Sequence, residues 1–237
     1  MSLAEWMKAE GYVAYRLFSS TDASDVPKGW GEPKEFSLDG AAFFDGETMT
    51  IFTDLTGRLL IKNKKTKTLP LKEMQSWLDE RFNPKLSPSL TGDCLVGYGN
   101  KKFDLPLLLH RHRVKSSHVD LSEIVAEASK RHYGDYARRH DLRHLSTLNR
   151  KKQTALPHLS FMLKPIALIS EWQRGMVRNV LRVLAAEVEL IAGLFNHVMV
   201  NEELRIEDER TQRPVTVNCT FVRDSTFPFN EKELEEE

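Results

Sequence analysis

The stretch that most constrains this chain runs from Cys94 to His110 and reads C-L-V-G-Y-G-N-K-K-F-D-L-P-L-L-L-H. Its short apolar start, bounded by glycines, is typical of a buried strand. A polar turn follows, and Asp104, Pro106 and a run of leucines then predict a helix with Asp104 as its N-cap. From these residues alone, Asp104 is either a helix cap or a ligand in a binding site, because both roles suit an acid at a helix start.

The segments before this stretch predict strands followed by a helix. Asp45-Gly46 joins two strand-like runs, and this dipeptide is a strong hairpin signal. Pro70 precedes a predicted helix over 71–82, whose apolar residues form one stripe. The predicted strands lie at 12–18, 36–44 and 48–53.

The segments after the stretch predict mainly helices. Asp141 is the expected cap of one helix, and Gly175 precedes a long helix over 176–195. The other predictions are a helix at 161–173 and strands near 204–206 and 215–219.

These elements divide the 237 residues into four parts. A capping-box pattern at Ser2 predicts a short N-terminal helix within 1–11, and the main domain covers 12–197. A β-hairpin extension is expected over 198–222, followed by an acidic, disordered tail over 223–237.

Charge is balanced over the whole chain but unevenly distributed. The segment 101–152 carries a surplus of about seven positive charges, and the segment after Glu187 is acidic by a similar amount. Basic residues in such a segment are candidate contacts to a phosphate backbone, although a solvated helix face explains them equally well. The candidates are Lys101, Lys102, Arg111, Arg113, Arg138 and Arg139.

Composition excludes several classes of protein. Cys94 and Cys219 are too few for a disulfide framework, and no C-x-x-C offers a zinc site. No apolar run is expected to span a bilayer, and the N-terminus lacks the basic and apolar blocks of a signal peptide. We therefore expect a soluble, intracellular protein of the cytoplasm with no membrane partner.

The central stretch resembles a motif of a known family. L-V-G-Y-G-N-K-K-F-D-L-P-L-L is similar to the second motif of the DEDD-type 3′-to-5′ exonucleases, which have the ribonuclease H-like fold. The resemblance implies an α/β domain whose mixed central sheet has three antiparallel strands and then parallel strands, flanked by helices, with a small C-terminal β extension. It further implies a short strand at 118–121 followed by a helix over 122–132. It also implies that Asp104 helps to hold two divalent ions, Mg²⁺ or Mn²⁺, that activate water against a terminal phosphodiester.

The family's first motif, D-x-E on the first strand, has two competing registers in this chain. In one register 12–18 is the opening strand, and Arg16 and Phe18 stand where the acids should be. In the other register Asp45 and Glu47 form the motif. We favour the first, because the second requires the catalytic strand to turn back at once in an Asp-Gly hairpin and leaves strand 12–18 unused.

The long helix carries one acid on its apolar stripe. Glu187 falls on the same face as Val180 and Leu184, and a buried acid requires a partner, a metal ion or a raised pKa. In the exonuclease family this helix carries the last metal-binding Asp, preceded by a Tyr or His that is absent here. Asp104 and Glu187 alone would bind metal weakly or not at all, because each ion of a two-metal site needs several oxygens.

Three functional hypotheses follow. The favoured one is a degenerate, inactive exonuclease-like protein that binds single-stranded RNA or DNA and needs no cofactor. The second is an active Mg²⁺- or Mn²⁺-dependent 3′-to-5′ exonuclease that uses Asp45, Glu47, Asp104 and Glu187. The third is a protein-interaction scaffold on the same fold, with a protein partner.

Overall fold

The computed structural model describes residues 11–55, 65–82, 94–114, 116–134, 140–149, 165–208 and 211–220. These residues form a mixed six-stranded sheet with helices packed on it, and a two-stranded sheet near the C-terminal end. The predicted α/β class, with antiparallel strands followed by parallel strands, is therefore confirmed.

The main sheet has the spatial order β4-β3-β2-β1-β5-β6. Its strands are β1 (Tyr12–Phe18), β2 (Gly40–Phe44), β3 (Thr48–Phe52), β4 (Lys65–Leu69), β5 (Cys94–Gly97) and β6 (Ser117–Asp120). β1, β2 and β3 pair antiparallel, whereas β5 and β6 extend the sheet parallel to β1. β1 and β5 consequently end at the same edge of the sheet, and this edge carries the candidate site.

β4 is a strand that the sequence pattern does not predict. It reads K-T-K-T-L and lies parallel to β3 at the outer edge of the sheet. Its first four residues alternate Lys and Thr, so the usual signal of alternating apolar side chains is missing. Exposed lysines such as Lys65 and Lys67 are typical of an edge strand, because charge discourages pairing with another chain.

Helices cover both faces of the sheet. α1 (Met74–Phe82) and α2 (Asp104–Arg111) contribute to one hydrophobic core, and the helices after β6 contribute to the other. β1 lies between the two cores, since Ala14 and Phe18 point to one and Val13 to the other. The helices after β6 are α3 (Leu121–Tyr133), α4 (Leu142–Asn149), α5 (Pro165–Gln173) and α6 (Val177–Asn201).

α6 is the central helix of its core and extends beyond the predicted end at residue 195. By length and composition it could cross a membrane, with a mean hydropathy of 1.6, which corrects the expectation that no run is long enough. However, 67% of the apolar 18-residue stretch of α6 is buried inside the protein, and α6 packs directly against β1 and β2. Its apolar side chains therefore build the core of the α/β fold.

The predicted C-terminal hairpin is confirmed. β7 (Glu203–Glu207) pairs antiparallel with β8 (Pro214–Asn218). Asn149 of α4 fastens the hairpin, because its Nδ2 donates to the Arg205 carbonyl at 3.0 Å and its Oδ1 accepts from the Arg205 N–H at 2.9 Å. Residues 1–10 of the predicted N-terminal helical segment 1–11, and the acidic tail at 223–237, lie outside the described residues.

Two acids are predicted to cap helices, and the structure confirms only one of these predictions. Asp141 caps α4 as predicted, since its Oδ1 accepts from the N–H of His144 at 3.2 Å. Asp104 is instead the first helical residue of α2, and Phe103 stands at the capping position without a side-chain cap. The N-cap prediction for Asp104 is wrong, because its carboxylate bonds to Arg16 of β1 and not to the first turn of α2.

Candidate functional site

A cleft of about 240 Å³ opens at the edge where β1 and β5 end. Among the described residues, three charged ones line it: Arg16 from β1, Asp104 from the start of α2 and Glu187 from α6. We refer to these three residues as the charged cluster. All three are residues that the sequence predicts for one degenerate site, and the fold brings them together from three separate elements.

The register of the sheet determines where Arg16 lies. Ala14 of β1 pairs with Val96 of β5, so Arg16, two residues further on, lies beside Tyr98 just after β5 ends. Its Nη1 donates to the Tyr98 carbonyl at 3.1 Å. Since side chains alternate along a strand, Arg16 points to the same side as Phe18, toward α6.

The guanidinium of Arg16 bridges the two acids. Nη1 lies 2.9 Å from Oδ2 of Asp104, and Nε lies 3.3 Å from Oε2 of Glu187. The exposed side-chain fractions are 29% for Arg16, 4% for Asp104 and 12% for Glu187, so the ion pairs are largely shielded from water. One cation thus occupies the space between both acids, and the Leu17 N–H also donates to Asp104.

The turn between β5 and α2 fixes the position of Asp104. The Asn100 carbonyl accepts from the N–H groups of Phe103 and Leu105 at 3.2 and 2.9 Å, which starts the helix. The Asn100 side chain is fully buried against Gly97, where an added Cβ would come within 1.4 Å of its amide nitrogen. Only glycine fits at that position, which explains why the motif passes from an apolar strand into G-Y-G-N.

Asp120 is a positioning residue that the sequence analysis missed. Its carboxylate accepts from the N–H groups of Gly99 at 2.8 Å and Lys101 at 3.1 Å, so it holds the turn ahead of α2. The same carboxylate caps α3 by accepting from the Ser122 N–H at 2.9 Å. The pattern D-L-S after a short strand indicates the cap, but it cannot indicate the contact with the neighbouring turn.

Burial and the positive charge of Arg16 have opposite effects on the pKa of Asp104. Removal from water raises the pKa of Asp104 to about 6, and the nearby charge of Glu187 acts in the same direction, although Arg16 lowers it. The pKa of Arg16 is raised, chiefly by Asp104, so the guanidinium stays protonated. The cluster therefore retains its central cation at every physiological pH, while Asp104 titrates in the mildly acidic range.

Asp45 and Glu47, the acids of the second register, lie elsewhere. Arg16 pairs with Ala42, so Asp45 is displaced by three residues, about 10 Å along the sheet, toward the opposite edge. Asp45 Oδ1 accepts from the N–H of Thr48 at 2.7 Å within the turn, and Glu47 is 3.6 Å from Lys65. The structure does not bring these acids to Asp104 and Glu187.

Aromatic and aliphatic side chains form the walls of the cleft. Phe18, Trp30 and Phe103 line it together with Leu168, Ile169 and Leu184. Phe18, which stands at the second acidic position of the first register, is buried against Trp172 with ring centroids 4.9 Å apart. Its ring supplies no oxygen for a metal ion.

Trp30 is the second feature that the sequence analysis did not assign to the site. It stacks on Phe36 at 5.0 Å and meets Phe103 edge-on at 4.9 Å, yet 49% of it is exposed. The Ser-, Pro- and Gly-rich loop around it shows no periodicity that would place it beside β1. Its position follows only from the packing of this loop over α2.

Four of the predicted nucleic-acid contacts lie around α2, and we call them the α2 basic surface. Lys101 and Lys102 precede the helix, and Arg111 and Arg113 lie at and beyond its C-terminal end. Lys101 is 3.4 Å from Glu123, and Arg111 donates to the Phe36 carbonyl at 2.9 Å. The other two candidates, Arg138 and Arg139, lie outside the described residues.

The described residues do not fit the two-metal centre that the family resemblance implies. Among them, no group of three or more His, Cys, Asp or Glu side chains is placed to hold a metal ion. Both acids that remain near the cleft bond to the guanidinium of Arg16. A divalent ion would have to displace that cation or lie beside it, and like charges repel strongly where water is excluded.

No protein-family model matches the chain, and no curated protein sequence matches it.

Proposed function

We propose that this protein is a non-catalytic relative of the DEDD-type exonucleases that binds single-stranded nucleic acid without cleaving it. The observation that carries the proposal is the position of Arg16, whose guanidinium bonds to both Asp104 and Glu187. In this proposal, a cation of the protein itself occupies the position at which the exonucleases bind metal ions.

The strand arrangement supports the relation to the ribonuclease H-like fold. The resemblance implies a mixed sheet of three antiparallel strands and then parallel strands, and β1, β2 and β3 followed by β5 and β6 agree with that description. β4 adds one strand at the outer edge, far from the cleft in strand order. Asp104 also follows β5 at the place where the resemblance puts the second motif.

The chemistry of the cluster supports the loss of catalysis. Phosphodiester hydrolysis by two metal ions requires both ions to be held by several oxygens so that they stabilise the attacking and leaving groups. Arg16 and Phe18 contribute none of those oxygens, and Arg16 engages the acids that remain. In this proposal the cluster is an ion-pair network rather than a metal cage.

The α2 basic surface supports binding of a phosphate backbone. α2 has eight residues, so about 12 Å separates the lysines before it from the arginines at its end. Binding of single strands without sequence preference typically combines such charges with aromatic rings on which bases stack. Trp30, half-exposed beside α2, offers such a ring.

The first test is incubation with a 5′-labelled single strand and Mn²⁺. We expect the strand to stay intact and to migrate more slowly on a native gel when protein is added. A ladder of shortened products that disappears in Asp104→Ala would overturn the non-catalytic assignment and favour the active exonuclease.

The second test locates the binding surface by charge reversal. In Lys101→Glu/Lys102→Glu we expect affinity for the single strand to fall by at least about tenfold and the salt dependence to weaken, because phosphate contacts release counterions. Lys65→Glu/Lys67→Glu is the matched control, since it makes the same charge change on the edge strand β4. Equal losses in both variants would indicate only non-specific attraction.

A protein with no affinity for single-stranded RNA or DNA even at low salt would contradict the proposal. The scaffold hypothesis would then be favoured, because that function needs no phosphate contacts.

A further inference from the structure

Trp30 presents part of its indole ring to solvent where it lines the cleft. One face of the indole is covered by Phe36, whose ring lies nearly parallel to it with centroids 5.0 Å apart. Phe103 meets the indole edge-on at 4.9 Å, and Phe36 itself is fully buried. Trp30 nevertheless stays 49% exposed, so its exposed area includes the face opposite Phe36. A free aromatic face of this kind is a surface on which another flat ring can stack.

The loop that carries Trp30 lies along α2, between basic residues. Trp30 contacts Phe103 at the start of the helix, and the Phe36 carbonyl accepts from Nη2 of Arg111 at 2.9 Å near its end. Lys102, directly before Phe103, is exposed. Cations at both ends of the helix attract phosphates. The indole therefore lies where a base of a strand bound to these cations would meet it.

A network of hydroxyl groups joins the two ends of this loop. Ser37 Oγ donates to Oδ2 of Asp39, and it lies 3.1 Å from Ser19 Oγ and 2.9 Å from Thr21 Oγ1. The N–H of Ser37 also donates to Thr21 Oγ1 at 3.0 Å. Ser37 directly follows Phe36 in the chain. The network thus holds the loop in place next to the aromatic rings, and a surface that is already ordered loses little conformational freedom when a ligand binds.

We propose that Trp30 is a preformed stacking platform for one base of the bound single strand, that it binds purines more tightly than pyrimidines, and that Ser37 positions it. The platform rests on the proposed function, since it needs a bound strand, and it specifies which part of that strand is recognised. A purine covers more of the indole than a pyrimidine does, and preferences of this kind arise from stacking strength rather than from hydrogen bonds. The base need not be terminal, because cations lie at both ends of α2.

The experiment uses strands that share all their phosphates and differ in a single base. One strand consists of abasic sugar-phosphates throughout, and two others carry one adenine or one thymine at the centre of the same abasic strand. Dissociation constants for the full chain are measured by titration calorimetry at fixed salt. We expect the adenine strand to bind at least about fivefold more tightly than the abasic strand and at least about twofold more tightly than the thymine strand.

The three strands separate the platform from the proposed function. Equal affinity for all three strands would overturn the platform and leave the proposed function intact. Equal affinity for the adenine and thymine strands, both above the abasic one, would overturn the purine preference. Binding of no strand, even at low salt, would overturn the proposed function and the platform with it.

Aromatic substitutions test whether the base lies on Trp30. Trp30→Ala should reduce the affinity for every strand to that for the abasic strand, whereas Trp30→Phe keeps a smaller ring and should retain part of the preference. Tyr133→Ala is the matched control, because it removes another exposed aromatic ring, which lies at the end of α3 and does not line the cleft. An unchanged preference in Trp30→Ala, or an equal loss in Tyr133→Ala, would contradict the assignment.

A pair of substitutions tests the positioning role of Ser37. Ser37→Ala removes the hydroxyl group, and Ser37→Thr keeps it. The resonance of Trp30 is followed by fluorine NMR after incorporation of fluorotryptophan, and its loss in Trp30→Phe assigns it. We expect Ser37→Ala to shift or broaden this resonance and to reduce the adenine preference at least about twofold, with unchanged affinity for the abasic strand and with recovery in Ser37→Thr. A loss of stability in Ser37→Ala without either change would contradict the positioning role.

Discussion

Acidic residues beside a basic residue occur at both ends of the strands in the main sheet, but only one end brings them together in a cleft. At the edge where β1 and β5 end, Asp104 and Glu187 are shielded and converge on Arg16. Toward the other edge, Asp45 holds a hairpin turn, and Glu47 is 61% exposed beside Lys65. Asp45 and Glu47 of this turn match the D-x-E motif of the DEDD-type exonucleases better than the residues of β1 do. Only the β1 residues, however, reach the cleft.

This difference shows that the strand register of the sheet decides whether the acids of a sequence motif can reach the site. An acid contributes to a site only if its strand delivers it to the edge where the other groups converge, and a displacement of three residues moves it about 10 Å away. The following predictions compare the two edges, beginning with the largest expected effect.

Removal of the cation at the cleft should destabilise the protein most. Arg16→Ala leaves Asp104 and Glu187 without their shared partner, and we expect the free energy of unfolding to fall by about 3 kcal/mol, because unpaired buried charges are costly. Urea denaturation measures this effect. Arg182→Ala removes an exposed arginine of α6, and its change should stay within about 0.5 kcal/mol. Equal effects would mean that the ion-pair network contributes nothing.

The pH dependence of stability should reveal the buried carboxyl. The pKa of Asp104 is raised to about 6, so between about pH 4 and pH 6 the folded protein binds a proton that the unfolded chain releases. The free energy of unfolding should therefore fall as pH rises through this range, by on the order of 2 kcal/mol relative to Asp104→Asn. Denaturation of both proteins from pH 4 to pH 7 gives this difference. Asp45→Asn, measured in the same way, tests whether the effect is confined to the cleft.

Introducing one acid at the cleft should create affinity for a metal ion. Arg16→Asp replaces the cation by a carboxylate near Asp104 and Glu187, and oxygen ligands of this kind suit Mn²⁺. Binding at ten times the dissociation constant would stabilise the variant by about 1.4 kcal/mol, seen as a rise in melting temperature. The wild type should show no such rise. If Asp45→Ala abolished the effect in the Arg16→Asp background, the hairpin acids would belong to the site after all.

Substitutions at the hairpin should have small effects confined to the turn. Asp45→Ala removes two hydrogen bonds to backbone N–H groups, and we expect a loss of about 1 kcal/mol in the free energy of unfolding. Glu47→Ala removes only an exposed ion pair and should cost less than about 0.5 kcal/mol. Neither variant should alter binding of a single strand; a loss in both would indicate that this edge contacts the ligand.

The periodicity of the chain was sufficient to predict most of the elements. β1, the strand after Thr48 and the last hairpin were found because alternating apolar residues and turn dipeptides are local signals. β4 was missed because it lacks apolar alternation, and the start of α2 was misread because a local rule assigned the Asp104 carboxylate to its own helix. The local rule failed where a residue distant in sequence competed for the same carboxylate.

Sequence by itself determined which residue types are candidates for the site: a buried strand leading to Asp104, an acid at Glu187 on an apolar stripe, and Arg16 on the first strand. Only the tertiary structure decided that Arg16 bonds to both acids, that Asp120 holds the turn before α2, and that Trp30 lies beside the cleft. These contacts join residues tens of positions apart, and they depend on strand register and loop packing. The periodicity of a segment indicates which face of its strand or helix a side chain lies on. Which residue that side chain contacts depends on how the strands, helices and loops pack together.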